Sequence, residues 1–202
     1  MAKQLGFKIH LGRCVQCAAC EVACKAANAV EYGVKWRTVG VYWEETPARV
    51  VNIALPQSCL HCAKPACASI CPVKAITKRA EDGIVTVDAK KCIGCRSCEK
   101  ACPYKVPKYG KNGKMQKCNL CLDRLAKGRQ PVCASTCPGE ALEVGDIGQW
   151  LKDGKPKGAV GGHTKLQGRT NPSAVLVKSF ADTDVDKYVK VFLSENSSAG
   201  KA

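Results

Sequence analysis

The chain has 202 residues and a formal net charge of +15, from 32 Lys and Arg against 17 Asp and Glu, but its aromatics are only 5% and its basic residues are scattered. The clustered basic stripe with interleaved aromatics that a nucleic-acid surface wants is therefore absent, and no stretch approaches the 18 apolar residues of a membrane helix. The 46% apolar share includes 16 cysteines, which leaves about 38% for an ordinary core in a chain long enough for one large domain or two small ones.

In chain order, MAKQLGFKIHLGRC has neither an apolar signal region nor a twin-arginine pair, so the sequence carries no address of its own. Residues 6–11 read as a strand leading into a first set of cysteines, Cys14, Cys17, Cys20 and Cys24. Residues 34–55 predict a β-hairpin: Val34, Trp36, Val39, Val41 and Trp43 alternate with polar neighbours, Glu45, Thr46 and Pro47 break the pattern, and residues 49–55 resume it. Trp36, Tyr42 and Trp43 are expected to pack, because period-two apolar faces usually cover a core. A second set follows, Cys59, Cys62, Cys67 and Cys71, with a helical turn expected over residues 73–76. Glu81, Asp82 and Gly83 make a turn and residues 84–87 a strand running into the third set, Cys92, Cys95, Cys98 and Cys102. The fourth set, Cys118, Cys121, Cys133 and Cys137, encloses LDRLAKGRQPV, where Leu122 and Leu125 have helical spacing and Gly128 is a stop signal. Beyond Cys137 there is no cysteine; residues 141–144 and 173–178 read as strands, 147–152 as a helix, Gly161 and Gly162 as loop, and the polar residues 194–202 as a frayed end.

The third set, in CIGCRSCEKACP, has the spacing of the bacterial ferredoxin run. Three closely spaced thiolates wrap one 4Fe-4S cluster, and the fourth, one helical turn on, reaches another. All sixteen cysteines then read as ligands of four such clusters with none left over. A disulfide framework suits a short secreted chain rather than repeated CxxC pairs in 202 residues. Structural zinc uses two such pairs, and the CxxCxxCxxxCP spacing is redundant for a tetrahedral ion. A fold built around clusters rather than packed Leu and Phe is expected to collapse when iron is removed.

The clusters also alter the charge. Four oxidised cubes with their thiolates add about −8, so the loaded protein falls to about +7. Lys25, Lys74, Lys91, Arg96, Lys100, Lys105 and Lys117 lie within a few residues of ligands, where they either favour the reduced cluster or form a solvated basic surface. Pro72, Pro103 and Pro138 follow the last cysteine of three sets, but Lys25 follows the first, leaving that flank more open or more cationic. His10, His61 and His163 make no catalytic set; His61, inside CLHC, is expected to hydrogen-bond near a cluster rather than ligate iron. No nucleophile-base pair or phosphate loop is visible, so the chain reads as a conductor of electrons, not an enzyme on its own.

The first and third sets are identically spaced, and the second and fourth are widened between their second and third cysteines, to spacers of four and eleven residues. This is a doubled ferredoxin of α+β class. The sets pair either first with second and third with fourth, or in a nested order, first with fourth and second with third; the short connector from Cys71 to Cys92 favours joining the middle sets.

The order of sets, their spacers, and the strings SCLHCAKPAC, DGIVTVDAKKCIGCRSCEKACPY and KCNLCLDRLAKGRQPVCASTCP resemble the iron-sulfur electron-transfer subunits of the dimethyl sulfoxide reductase class of molybdoenzymes, which include the dimethyl sulfoxide, thiosulfate and polysulfide reductases. The likeness covers roughly residues 8–145. It implies nested ligation: Cys14, Cys17, Cys20 with Cys137; Cys118, Cys121, Cys133 with Cys24; Cys59, Cys62, Cys67 with Cys102; and Cys92, Cys95, Cys98 with Cys71. Two pseudo-symmetric ferredoxin-like lobes follow, one from residues 1–30 plus 109–145 and one from residues 56–108, with a hairpin insertion over 31–55 and a cysteine-free, partner-docking extension over 146–202. Some relatives replace one cysteine of the third set and hold a three-iron cluster; all four are present here, implying four cubes of one kind. The resemblance also implies a wire between a molybdopterin (Mo or W) catalytic subunit and a membrane quinone-reactive subunit or a soluble carrier. On it the chain is a peripheral subunit without membrane insertion or nucleic acid, exported with a signal-bearing partner or, alternatively, cytoplasmic. A free-standing polyferredoxin and a zinc-stapled interaction module are the other readings.

Overall fold

The computed structural model describes residues 3–46, 49–152, 159–161, 170 and 172–177. His163, Gly162, Pro47 and the polar stretch 194–202 lie outside them. Strand β1 (Leu5–His10) buries Leu5, Phe7 and Ile9 and continues as a 3-10 turn at Leu11–Arg13 into the first cysteine loop. That loop ends in helix α1 (Ala19–Ala27), followed by the antiparallel hairpin of β2 (Thr38–Thr46) and β3 (Arg49–Gln57). Next come α2 (Ala66–Ser69), the short antiparallel pair β4 (Ile76–Lys78) and β5 (Val85–Val87), α3 (Ser97–Ala101), and the two-residue pair β6 (Lys108–Tyr109) and β7 (Met115–Gln116). Helices α4 (Leu122–Leu125) and α5 (Val132–Ser135) precede β8 (Leu142–Asp146), α6 (Ile147–Lys152), β9 (Ala159–Gly161) and β10 (Ala174–Val177).

One four-stranded sheet, ordered β8-β1-β10-β9, ties the two ends of the described chain together. β1 runs antiparallel to β8, with Phe7 opposite Val144, and parallel to β10, with Phe7 opposite Ala174. Gly6 permits that parallel contact: a Cβ there would sit 2.1 Å from the Ser173 carbonyl oxygen, which accepts the Phe7 N–H. Within the expected extension, therefore, residues 174–177 belong to the central sheet. Ser173 donates its hydroxyl to the His61 carbonyl, and Thr170 meets the Tyr104 hydroxyl at 3.1 Å.

The core mixes apolar side chains and sulfur. Phe7, Ile9, Leu11, Ile53, Leu55, Leu60, Ile84, Leu120 and Leu142 form one cluster with Cys20, Cys59, Cys118 and Cys133, and a smaller one gathers Ile76, Val85, Met115 and Cys98. Aliphatic packing is thus more continuous than the composition suggests.

Three local readings change. In the hairpin Tyr42 is the buried aromatic, opposite Ile53, so the alternation sends Val41 and Trp43 outward and Trp43 is 67% exposed. The turn after Pro72 does not continue as helix: Lys74 takes a left-handed conformation (φ 49°), which ends it and releases Ile76 into β4. Gly161 is not loop but the end of β9, opposite Val175.

Candidate functional site

The four cysteine loops share a backbone device. The residue two positions after each first cysteine has positive φ: Gln16 (61°), His61 (42°), Gly94 (74°) and Leu120 (58°). A left-handed residue there curls the loop back on itself and turns N–H groups toward sulfur. The Leu120 N–H donates to Cys118 Sγ at 3.4 Å, and the Gln16 N–H favours the Cys14 thiolate in the same way. A second left-handed residue stands three positions after the last cysteine of three sets, at Lys74, Lys105 and Glu140, each with φ 49°. In each of these the following N–H reaches the cysteine: Ala75 to Cys71 Sγ and Ala141 to Cys137 Sγ at 3.3 Å each, and Val106 to Cys102.

The first set departs from this because Lys25 replaces proline, so α1 runs on past Cys24. The Asn28 N–H is then consumed by the Cys24 carbonyl, and the Asn28 side-chain amide supplies the sulfur contact instead, at 3.8 Å from Cys24 Sγ. Lys25 keeps its charge at this flank, with its ammonium held by the carbonyls of Glu31 and Val34.

The cysteines gather as follows. Cys14, Cys17, Cys20 and Cys137 line one pocket, rimmed by Val39 and Pro56 of the hairpin. Cys24 senses the charge of Cys133 and Cys121, and Cys118 that of Cys133. Cys62 and Cys67 sense Cys59 and Cys102. Cys71, Cys92, Cys95 and Cys98 line a second pocket with Ile93 and Tyr109, whose hydroxyl lies 3.1 Å from Cys98 Sγ. The gatherings adjoin in single file, through Cys20 and Cys133, Cys118 and Cys59, and Cys67 and Cys98. Only the outermost two contain an exposed cysteine, Cys17 at one end and Cys95 at the other.

Burial pushes the Cys20 and Cys24 thiols up to about 11 and those of Cys62, Cys67 and Cys118 up to about 12. Such thiols ionise at neutral pH only beside a strong cation. Among the described residues no three Cys, His, Asp or Glu side chains converge enough to hold one metal ion. Four thiols in each gathering, with backbone N–H groups turned toward sulfur, suit a metal-sulfide cube.

His61 is a separate sign of the same fit. It is fully buried, and its Nδ1 accepts the Val85 N–H at 3.0 Å, which assigns the proton to Nε2. Burial, with Lys117 and Lys78 nearby, holds the ring well below the usual histidine range and keeps it neutral. Nε2–H has no partner among the described residues, although a buried unmet donor costs about 1–3 kcal/mol. Cluster sulfur held by the flanking Cys59 and Cys62 would supply the acceptor. His10 lies elsewhere, with Nε2 2.6 Å from Glu143, itself paired with Lys8.

Of the lysines and arginine near ligands, Lys117 alone is buried, bound to the carbonyls of Val85 and Cys118. Lys74, Lys91 and Lys100 are exposed, and Arg96 stacks on Tyr109 at 4.6 Å. Sequence proximity missed Arg37, 2% exposed and thirteen positions from Cys24. It sits among Cys20, Cys24, Cys118 and Cys133. Its only mark in the sequence is its place at the base of an apolar hairpin.

The chain is similar to known proteins. A 4Fe-4S dicluster domain model matches residues 50–147, and a 4Fe-4S binding domain model matches residues 11–33. The protein is 42% identical over 161 residues to a chain of the anaerobic dimethyl sulfoxide reductase of Escherichia coli (strain K12), covering 75% of this sequence and 78% of that one. It is 41% identical over 142 residues to a tetrathionate reductase subunit of Salmonella typhimurium, covering 69% and 56%. With the formate dehydrogenase iron-sulfur subunit of Wolinella succinogenes it shares 36% over 163 residues, covering 69% and 80%. Sulfur-lined loops of this kind, on a chain related along most of its length to those subunits, make it a member of the iron-sulfur electron-transfer subunits of the dimethyl sulfoxide reductase family, the non-catalytic partners in multisubunit oxidoreductases.

Proposed function

We propose that the chain holds four 4Fe-4S clusters in series and carries electrons between a molybdopterin catalytic subunit and a membrane quinone-reactive subunit or soluble carrier. The ligands are nested: Cys14, Cys17, Cys20 and Cys137; Cys24, Cys118, Cys121 and Cys133; Cys59, Cys62, Cys67 and Cys102; Cys71, Cys92, Cys95 and Cys98. When bound, each cluster supplies a one-electron store. The protein's part is to fix spacing, exclude water and set charge.

The observation that carries this reading is the single-file succession of thiol gatherings, with an exposed cysteine only at its two ends. Cys17 is flanked by exposed Val15 and Val22, and Cys95 by exposed Ile93. Apolar rims around the outermost sulfurs suit dry contact with partner proteins. The two lobes correspond to the two halves of the series, and the outward face of the hairpin, with Val41, Trp43 and Val50, offers a further docking surface. Attachment to the membrane is assigned to the partner; no helix among the described residues is long and apolar enough to cross it.

Anaerobic analysis of the native complex tests this. About sixteen irons and as many sulfides per chain, with four one-electron centres in a reductive titration, are expected. Far fewer irons overturn it, and a native mass equal to this chain alone would favour a diffusing carrier.

His61 gives a sharper check. His61→Leu removes both the acceptor for Val85 N–H and the Nε2 donor, and is expected to lower thermal stability by about 1–3 kcal/mol and the potential of the cluster on Cys59, Cys62, Cys67 and Cys102. His61→Gln restores both groups and is expected to recover most of each loss. Equal melting points and potentials in all three proteins would contradict the assignment.

A further inference from the structure

Arg37 is a buried cation without an acid. Its Nη2 donates to Ser58 Oγ at 2.8 Å, its Nη1 to the Pro56 carbonyl at 3.4 Å, and its guanidinium lies 4.7 Å from the Phe7 ring centroid. All three partners are uncharged. No carboxylate pairs with it among the described residues. Burying an unpaired charge is strongly unfavourable, so a native site that tolerates one has its counter-charge elsewhere. Burial alone would weaken the guanidinium's hold on its proton, but the thiols of Cys133, Cys118, Cys20 and Cys24 outweigh that and strengthen it. These four cysteines come from two successive gatherings: Cys20 from the first, the others from the second.

We propose that Arg37 is a fixed counter-charge shared by the first two clusters of the series, holding both reduction potentials above those of the same thiolate sets without it. The inference rests on the four-cluster reading. A cluster gains negative charge on reduction, and a cation in a low-dielectric interior stabilises the reduced form more than the oxidised one. The hydrogen bonds to Ser58 and Pro56 and the stacking on Phe7 fix the charge at the base of the hairpin, where solvent cannot screen it. The largest thiol charges at Arg37 are those of the first two gatherings, whereas Lys117, bound to the Cys118 carbonyl and close to Cys67, stands between the second and third.

The test uses the native complex with Arg37→Gln and Arg37→Lys, followed by iron analysis and an EPR-monitored redox titration. Iron content and four titrating centres in the unaltered complex report on the cluster assignment, and the pattern of shifts among them reports on Arg37. In Arg37→Gln two of the four midpoints are expected to fall by at least tenfold in the reduction equilibrium, about 59 mV for a one-electron couple, with the other two unmoved. Arg37→Lys keeps the charge and is expected to restore most of the shift. Unchanged midpoints with full iron, or an equal fall in all four, overturn the proposal. If Arg37→Gln fails to assemble, Arg37→Lys still decides: normal assembly shows that charge is what the site requires. Failure of both shows a purely structural anchor, because lysine cannot reproduce the fork or the stacking.

Discussion

Stripping the iron under anaerobic conditions with a chelator is expected to abolish cooperative melting and most of the far-ultraviolet circular dichroism. The reason lies in the loops. Gln16, Ala18, His61, Lys74, Arg96, Lys105, Leu120, Cys121 and Glu140 all occupy left-handed backbone in or beside the cysteine sets, and none is glycine. At about 1–2 kcal/mol each, this strain is on the order of 10 kcal/mol, as large as the whole stability of an ordinary domain. Little else holds those conformations. Helices α2, α4 and α5 have four residues each, and α1, α3, α4 and α5 carry no side-chain cap hydrogen bond. Without metal, buried sulfurs return to protonated thiols and the loops lose the ligand that curls them. An apoprotein that retained its dichroism and melted in one sharp transition would show that Phe7, Ile84, Leu120 and their neighbours suffice alone.

The second large effect is expected at Gly139. A Cβ there would lie 2.1 Å from the Arg13 carbonyl oxygen, a backbone atom that cannot swing aside. This contact clamps the Cys137 turn to the loop that begins at Cys14. Gly139→Ala is expected to push the two apart and cost the cluster held by Cys14, Cys17, Cys20 and Cys137, about a quarter of the iron, while the other centres remain. Gly128→Ala is the control. Gly128 has φ 66° but nothing within 4 Å of the added atom, so only a backbone cost of about 1 kcal/mol is expected. Iron analysis with EPR of both variants decides; full iron in Gly139→Ala would remove the clamp from the account.

Local patterns carry the readable part of the fold. The alternation around Phe7 and Ile9 marks β1, the two apolar runs around residues 46–49 mark the hairpin, and Leu122, Leu125 and Gly128 bound α4. Helix α6 falls on the expected residues 147–152. What escapes a reading of the sequence is non-local or torsional. The parallel pairing of Phe7 with Ala174 joins segments far apart in sequence and depends on Gly6 lacking a side chain. The turn at Lys74 depends on a left-handed backbone at a residue with no special preference for it. Trp43 faces outward against expectation because, with β-branched and aromatic residues at consecutive positions 41–43, composition does not fix which set faces inward. For the site, cysteine spacing and the embedded His61 are legible, whereas Arg37 is not, because its relation to sulfur exists only after the hairpin folds.

The amide of Asn28 sets Cys24 apart from the other closing cysteines. Cys71, Cys102 and Cys137 each draw their donor from the main chain, which only an exchange to proline can erase. At Cys24 the equivalent contact is written in a single codon. That gives heredity a dial on one link of the conductor, adjustable without recasting the loop that holds it.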